Sequence, residues 1–280
     1  MNVRVFASIA SGVFALGLSS PAWGQGASMP PGQIRAVRIV GEVKVVHSSN
    51  PAAIELHNND ALAQGDIVTT AKDSSVVLVF SNGSTINLGQ DSRMAVDEFL
   101  QDPFSQEVKV SQLTNEPSAS HTKLTLTYGE LVGNVKKLHG ESSFLVQTPV
   151  GAAGIRGTTF RLVYRPSGTG QAFFTLSTAS GEVIFQGATG APVPVPANKE
   201  VDIQVTVDAA GNVQSTQVTS QDISPEAAQV IEQQVTQAVD SIKDTVFPTT
   251  QNAPGGNQPP ATPPPPQPPP NTTPGDGQTG

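Results

Sequence analysis

The sequence predicts a mainly β fold, a β-sandwich or jelly roll, with one C-terminal amphipathic helix and a disordered Pro-rich tail. Three observations carry that reading. Short segments alternate apolar and polar residues, Gly, Asn, Asp and Ser punctuate them, and one run, 76–80, is apolar at every position.

In chain order, Arg4 precedes a weakly apolar run to Leu18, then Ser19, Ser20, Pro21 and the small-residue pattern Ala22-Trp23-Gly24. Charged, apolar and cleavable regions in that order predict a secretory signal peptide over 1–24. A short buried helix or a retained anchor is the alternative, but Ser8, Ser11 and Gly12 interrupt the run. It also falls short of the roughly 20 apolar residues that a spanning helix needs. No later stretch qualifies, so no membrane span is expected after cleavage. A Gly/Pro-rich spacer, 25–33, leads into a β domain over 34–218.

Within that domain Val37, Ile39, Val43 and Val45 share one strand face against Arg38, Glu42 and Lys44. The same alternation appears at Thr158, Phe160, Leu162 and Tyr164, and at Val201, Ile203, Val205 and Val207. The all-apolar run 76–80 predicts a strand covered on both faces and hence two layers of sheet. It runs into Ser81-Asn82-Gly83-Ser84 and then Ile86 and Leu88. Asn-Gly between apolar runs predicts a hairpin with a type I′ turn. A small motif, Gly then a carboxylate then an apolar residue, recurs at Gly41-Glu42-Val43, Gly65-Asp66-Ile67, Gly129-Glu130-Leu131 and Gly181-Glu182-Val183. The Gly would turn the chain and the third residue would open a strand; the unequal intervals argue against a solenoid.

Past Val218 the period changes. Ser224 suits an N-cap, Pro225 the first helical position and Glu226 the first turn. Ile231, Val235, Ala238, Ile242 and Val246 then form one apolar stripe, predicting a helix over 224–247. The stripe packs back on the sheet or meets a partner helix. From 248 to 280 the chain is Pro, Gly, Thr, Gln and Asn with Asp276 its only charge, a composition that buries nothing and favours extended polyproline II. It acts as a spacer or is a tail without a partner.

The chain has no cysteine, which removes disulfides, thiolate metal sites, a Cys nucleophile and a lipid-bearing Cys. Its formal net charge of −8, without a Lys/Arg cluster, makes nucleic acid and anionic lipid poor partners. His47, His57, His121 and His139 are scattered without metal-ligand spacing, so no metal or other cofactor is expected. There is no nucleophile elbow, P-loop or calcium loop. The glycines of Gly151-Ala152-Ala153-Gly154-Ile155-Arg156-Gly157 precede a strand pattern rather than a helix, so they lack the helix N-terminus that holds phosphate. Asp97 and Glu98 should face opposite sides of a strand. Without a convergent nucleophile, base and stabiliser, the chain reads as a non-enzyme.

Three segments in order carry a family resemblance. Gly65-Asp66-Ile67-Val68-Thr69-Thr70 comes first, followed by the hairpin with Gly83-Ser84. Leu126-Thr127-Tyr128-Gly129-Glu130-Leu131 is second. Thr148-Pro149-Val150-Gly151, leading to Arg156-Gly157-Thr158-Thr159-Phe160, is third. Together they resemble the FecR domain of bacterial envelope signalling proteins, over about 41–164. The resemblance makes Gly65, Asp66, Gly83, Ser84, Gly129, Pro149, Gly151, Arg156, Gly157, Thr158 and Phe160 signature residues, more structural than ligand-binding. Arg156 needs its donors satisfied, either as an internal staple between strands or on a ligand.

Signalling members of that family carry a cytoplasmic anti-sigma segment, a membrane helix and a periplasmic FecR domain that receives a signal from an outer-membrane transducer. This sequence departs from the plan: too few residues precede the spacer for a cytoplasmic regulator. The resemblance therefore implies a periplasmic, secreted or cell-surface module that binds an envelope protein or a cell-wall polymer. Two alternatives stand beside it. One is a self-assembling surface component using the helix or exposed strand edges. The other is an envelope hydrolase, which requires a deep cleft with two converging carboxylates.

Overall fold

A computed structural model describes residues 29–167, 170–187, 190–207 and 213–249. The expected signal peptide, and the tail from residue 250 onward, lie outside these described residues. The first strands are β1 (Ile34–Val40), β2 (Val43–His47), β3 (Asn50–Glu55), β4 (Ala61–Leu62), β5 (Ile67–Thr70), β6 (Ser75–Phe80) and β7 (Thr85–Leu88). Then come β8 (Ser92–Gln101), β9 (Val108–Lys109), β10 (Ser120–Asn134), β11 (Ser143–Thr148), β12 (Gly151–Ile155) and β13 (Thr159–Ser167). The last are β14 (Gln171–Ser180), β15 (Glu182–Gly187), β16 (Val193–Pro196), β17 (Lys199–Val207) and β18 (Val213–Asp222), followed by helix α1 (Pro225–Ser241) and β19 (Val246–Phe247).

Apart from β9 and β19, which pair with each other, these strands make a β-sandwich whose two sheets share one long strand. Sheet I runs β3-β2-β5-β8-β10-β11-β12-β15-β16. Sheet II runs β4-β1-β6-β7-β10-β13-β14-β17-β18. The first half of β10 pairs with β8 and β11, the second half with β7 and β13, so β10 passes from one sheet to the other. Its contact with β11 is parallel, whereas the other strand pairs are antiparallel.

Alternation decides which residues meet between the sheets. Val68, Val96, Leu124, Val146 and Phe185 from sheet I, and Leu78, Ile86, Leu131, Phe160 and Ile203 from sheet II, belong to one buried cluster. Aromatic rings lock the layers together: Phe80 of sheet II meets Phe99 edge-on at 5.1 Å and Phe144 at 6.4 Å, and Phe174 meets Phe185 at 4.7 Å.

The run 76–80 is buried on both sides, but a third layer supplies the second cover. Val76, Leu78 and Phe80 enter the inter-sheet core, while Val79 joins a separate cluster with Phe104, Val108, Val110, Ile242 and Phe247. Helix α1 packs on β1, β7, β10, β13 and β14, all strands of sheet II. Its apolar stripe therefore folds back, with Ala227, Ile231, Ala238 and Ile242 buried. Ser224 caps it by accepting the Ala227 N–H at 3.2 Å. The helix ends sooner than the stripe predicts, at Ser241 rather than 247. Val246 and Phe247 instead pair with β9, and the Arg35 guanidinium lies 5.7 Å from the Phe247 ring. Docking Phe247 beside Val108 outweighs one more helical turn because it fills the outer cluster.

Two further expectations are corrected. The 81–84 hairpin forms, but Asn82 is absent from the residues with positive φ and Gly83 has φ +87°. Gly83 N–H donates to Phe80 O at 2.8 Å and Phe80 N–H to Ser84 O at 3.0 Å. This is a type I turn followed by a left-handed glycine, not type I′; Asn82 is held by donating its side-chain amide to Ser120. Asp97 and Glu98 do not face opposite sides. The register slips between Lys123 and Leu124, so a bulge at Asp97 leaves it and Glu98 outside, between buried Val96 and Phe99.

Candidate functional site

The repeated Gly-carboxylate-apolar motif marks places where the chain changes sheets. Gly41 lies between β1 and β2, Gly65 between β4 and β5, Gly129 inside β10 and Gly181 between β14 and β15; all have positive φ. Asn59, Asp73, Asp91 and Asn198, also left-handed, serve other crossings. The glycine motif is thus a corner that redirects a strand into the facing layer.

Asp66 shows why the corner carries a carboxylate. It is 1% exposed and accepts the Ser48 N–H at 3.1 Å and the Ala63 N–H at 2.9 Å, with the His47 ring nitrogen at 2.8 Å. One side chain ties the β2–β3 turn to the corner before β5, and Gly65 leaves room because a Cβ there would lie 2.7 Å from Ser48 Cβ.

Elsewhere in the sandwich the 81–84 hairpin and Arg156 join one hydrogen-bonded network. Asn82 Nδ2 donates to Ser120 Oγ at 3.1 Å, Ser120 Oγ donates to Glu116 Oε2 at 2.6 Å, and Glu116 Oε1 accepts the His139 N–H at 2.5 Å. Arg156 Nη2 donates to His139 O at 3.2 Å and Gly140 O at 3.0 Å. A hydrogen-bonded chain thus runs from the hairpin through buried Glu116 to the 139–140 loop that Arg156 clasps. Sequence reasoning missed Glu116 and Ser120. A carboxylate and a serine four residues apart carry no signal until the fold buries them beside Asn82.

The chemistry of this cluster is structural. Ser120 donates to the carboxylate rather than to the histidine, whose Nε2 lies 3.3 Å from the Glu116 backbone oxygen. Glu200 and Asp202, bridged by Gln221 at 3.4 and 2.9 Å, receive hydroxyls from Ser177 and Thr175 and lie on a sheet face. In both arrangements the serine and its carboxylate are buried, and the carboxylate serves as an acceptor that ties neighbouring strands or loops together. Lys136, half-buried beside Gly83, has its ammonium pushed below the usual lysine range by burial.

The other signature residues hold backbone in place. Thr148 Oγ1 donates to Gly151 O at 2.9 Å around Pro149. A Cβ on Gly151 would come within 2.4 Å of Gln186 O, so β12 and β15 approach through that glycine. Thr158 Oγ1 donates to Glu182 O at 3.1 Å beside Gly157, and Phe160 is fully buried. Ser84 Oγ is buried without a hydrogen-bond partner.

Arg156 is exposed, so its carbonyl contacts are solvent-screened, yet they tie β12 to the 139–140 loop. Arg156→Ala is expected to lower stability by about 0.5–1.5 kcal/mol, the net worth of ordinary hydrogen bonds. Thermal denaturation followed by circular dichroism reads this, and a melting curve coincident with wild type would remove the staple role.

One face of the sandwich is left open. Helix α1 and the C-terminal segment lie on sheet II, whereas among the described residues no element packs on the outer face of sheet I. There Thr125, Thr127, Gln147, Pro149, Ala152 and Gln186 border a shallow depression of about 460 Å³. The next row holds Leu145, Gly154 and Ile184 in register, with Ile184 40% exposed. Gly154 has no positive φ, and a Cβ on it would meet only Ile184 O, at 3.7 Å. The fold does not require glycine at this position.

Corners, interlocking sheets and, among the described residues, an uncovered outer face on sheet I define a β-sandwich with a covered back. Residues 66–184 match the family model described as FecR protein, a span that begins at Asp66 rather than near residue 41 and runs beyond Tyr164 through β14 to the start of β15. Two crystal structures of a candidate anti-sigma factor from Parabacteroides distasonis are similar at 14% identity and TM-score 0.41. The match covers 59% of this chain and 62% of theirs, so it spans less than two thirds of those chains. No curated protein matches the chain. Among the described residues, no helix is long and apolar enough to cross a membrane.

Proposed function

We infer that the chain is an exported FecR-domain protein, acting in the bacterial envelope as a non-catalytic protein-interaction or signal-sensing module. Its partner docks on the outer face of sheet I. The observation that carries this reading is Gly154, a strand-interior glycine that steric demands do not explain, set between Leu145 and Ile184 on an uncovered face. A glycine in such a place admits close approach of another backbone or ligand. The matched FecR domain and the N-terminal sequence pattern support the envelope setting.

Gly154→Arg fills the trough from outside and is expected to leave the melting curve nearly unchanged, as surface substitutions do. The same variant should lose the envelope partner that wild type retains after cross-linking and affinity capture. Equal retention by both proteins would overturn the assignment of this face.

A further inference from the structure

The two sheets end in edges of very different character. Sheet I ends at β3, which carries Pro51, and at β16, where Pro194 and Pro196 alternate with valines. Sheet II begins at the two-residue β4, and the rest of the β1 edge is covered by a loop. There Ala36 N–H donates to Asp60 O at 3.0 Å and Ile39 N–H to the Asn58 side chain at 3.1 Å. Proline, shortness and loop cover are the usual ways of preventing strand addition.

Among the described residues, strand β18 has none of them. It is ten residues long, VQSTQVTSQD, without Pro, Gly, Lys or Arg, and among the described residues it pairs with β17 alone. Its one charged residue, Asp222, is held by Lys199 at 2.6 Å. Near its middle Val218 lies opposite buried Ile203, yet is 49% exposed, and among the described residues no strand lies beyond it.

We propose that β18 pairs antiparallel with β18 of a second copy of this chain, about a two-fold axis at Val218, joining the two second sheets into one. Antiparallel edges related by a two-fold perpendicular to the sheet keep their faces, so the residues opposed must be of equal parity. An axis at Val218 meets this condition and sets Val218 against Val218, Gln217 against Thr219, Thr216 against Ser220 and Ser215 against Gln221. Each of these pairs is neutral, and Asp222, already paired with Lys199, faces Gln214. Self-pairing of β3 or β16 would bring prolines into the pairing, and the β4–β1 edge is short and loop-covered. The self-complementary edge, whose single charge is already paired, and the half-exposed valine at its centre therefore select a second copy over a charged partner strand.

The purified chain is expected to sediment as a dimer that dissociates on dilution. Val218→Lys places two ammonium groups together at the axis and should give a monomer with an unchanged far-ultraviolet spectrum. Because the chain has no cysteine, Val218→Cys introduces a single thiol. Opposed cysteines in an antiparallel pair lie within disulfide reach, about 4.4–6.8 Å between Cα atoms. Mild oxidation should therefore convert this variant to a covalent dimer at least ten times faster than Ile54→Cys on the proline-bearing edge. A monomer at all concentrations, a dimer that survives Val218→Lys, or equal cross-linking of the two cysteine variants would each overturn the proposal.

Discussion

Phe80→Ala is expected to destabilise the protein by about 3–5 kcal/mol, the range for deleting a buried phenylalanine when its surroundings do not collapse. Phe80 is fully buried and closes β6 just before the hairpin. Its ring meets Phe99 and Phe144 of the opposite sheet, so the cavity would open between layers that β10 already ties together. That tether limits collapse, which places the loss toward the upper end. Urea titration should show a lower midpoint with an unchanged slope. Phe173→Ala, on the exposed outer face of sheet II, provides the contrast: Phe173 is 47% exposed, and its loss should be within about 0.5 kcal/mol. Similar costs for both would mean that the inter-sheet contacts of Phe80 do not hold the layers together.

Gly129→Ala is the second large effect. Gly129 has φ +115°, and a Cβ there would lie 2.1 Å from Ser92 Oγ and 2.5 Å from Ser92 Cα. The strained backbone costs about 1–3 kcal/mol. Displacing Ser92 adds overpacking of about 1–3 kcal/mol. Ser92 cannot rotate away freely. Its hydroxyl accepts the Glu130 N–H at 3.0 Å and donates to Gln90 O at 2.9 Å, while its own N–H donates to Thr70 Oγ1 at 3.1 Å. The substitution therefore damages the crossing of β10 between sheets as well as one contact. Gly154→Ala, a glycine of the same signature region, should be neutral or stabilising by up to about 1 kcal/mol, because alanine fits the conformation and restricts the unfolded chain. Parallel melting curves of the two variants test the distinction between a glycine required by the fold and one that is not.

Local features were readable in proportion to how local their causes are. Alternation at Val201, Ile203 and Val205 gave the buried face of β17 directly, since side-chain direction in a strand has period two. Ser224 and Pro225 marked the helix start because capping involves neighbouring groups. The Asn-Gly signal found the 81–84 hairpin but not its turn type, since a contact with Ser120, far along the chain, holds Asn82. The apolar run 76–80 announced two covered faces without saying that α1 and the Phe104–Phe247 cluster would supply one of them. Glu116 was invisible for a related reason. A lone carboxylate acquires meaning only when Ser120 and the 139–140 loop close over it.

The sequence by itself determined the β class, the inward-facing residues of β13 and β17, the glycine corners, the helix start and the FecR resemblance. Each of these follows from strand period, left-handed backbone preference, capping or an ordered set of short motifs. It did not determine the single face expected for Val37, Ile39, Val43 and Val45, because a bulge in β1 turns Val37 to the outer cluster and Gly41 breaks the strand. Only the tertiary structure decided that β10 serves both sheets, that a bulge puts Asp97 and Glu98 on one side, and that the helix stops at Ser241. It also decided that, among the described residues, nothing covers the outer face of sheet I and β18 pairs with β17 alone. Those outcomes depend on which distant segments compete to cover the same apolar or hydrogen-bonding surface, and that competition is settled by packing across the sandwich, not by neighbours in the chain.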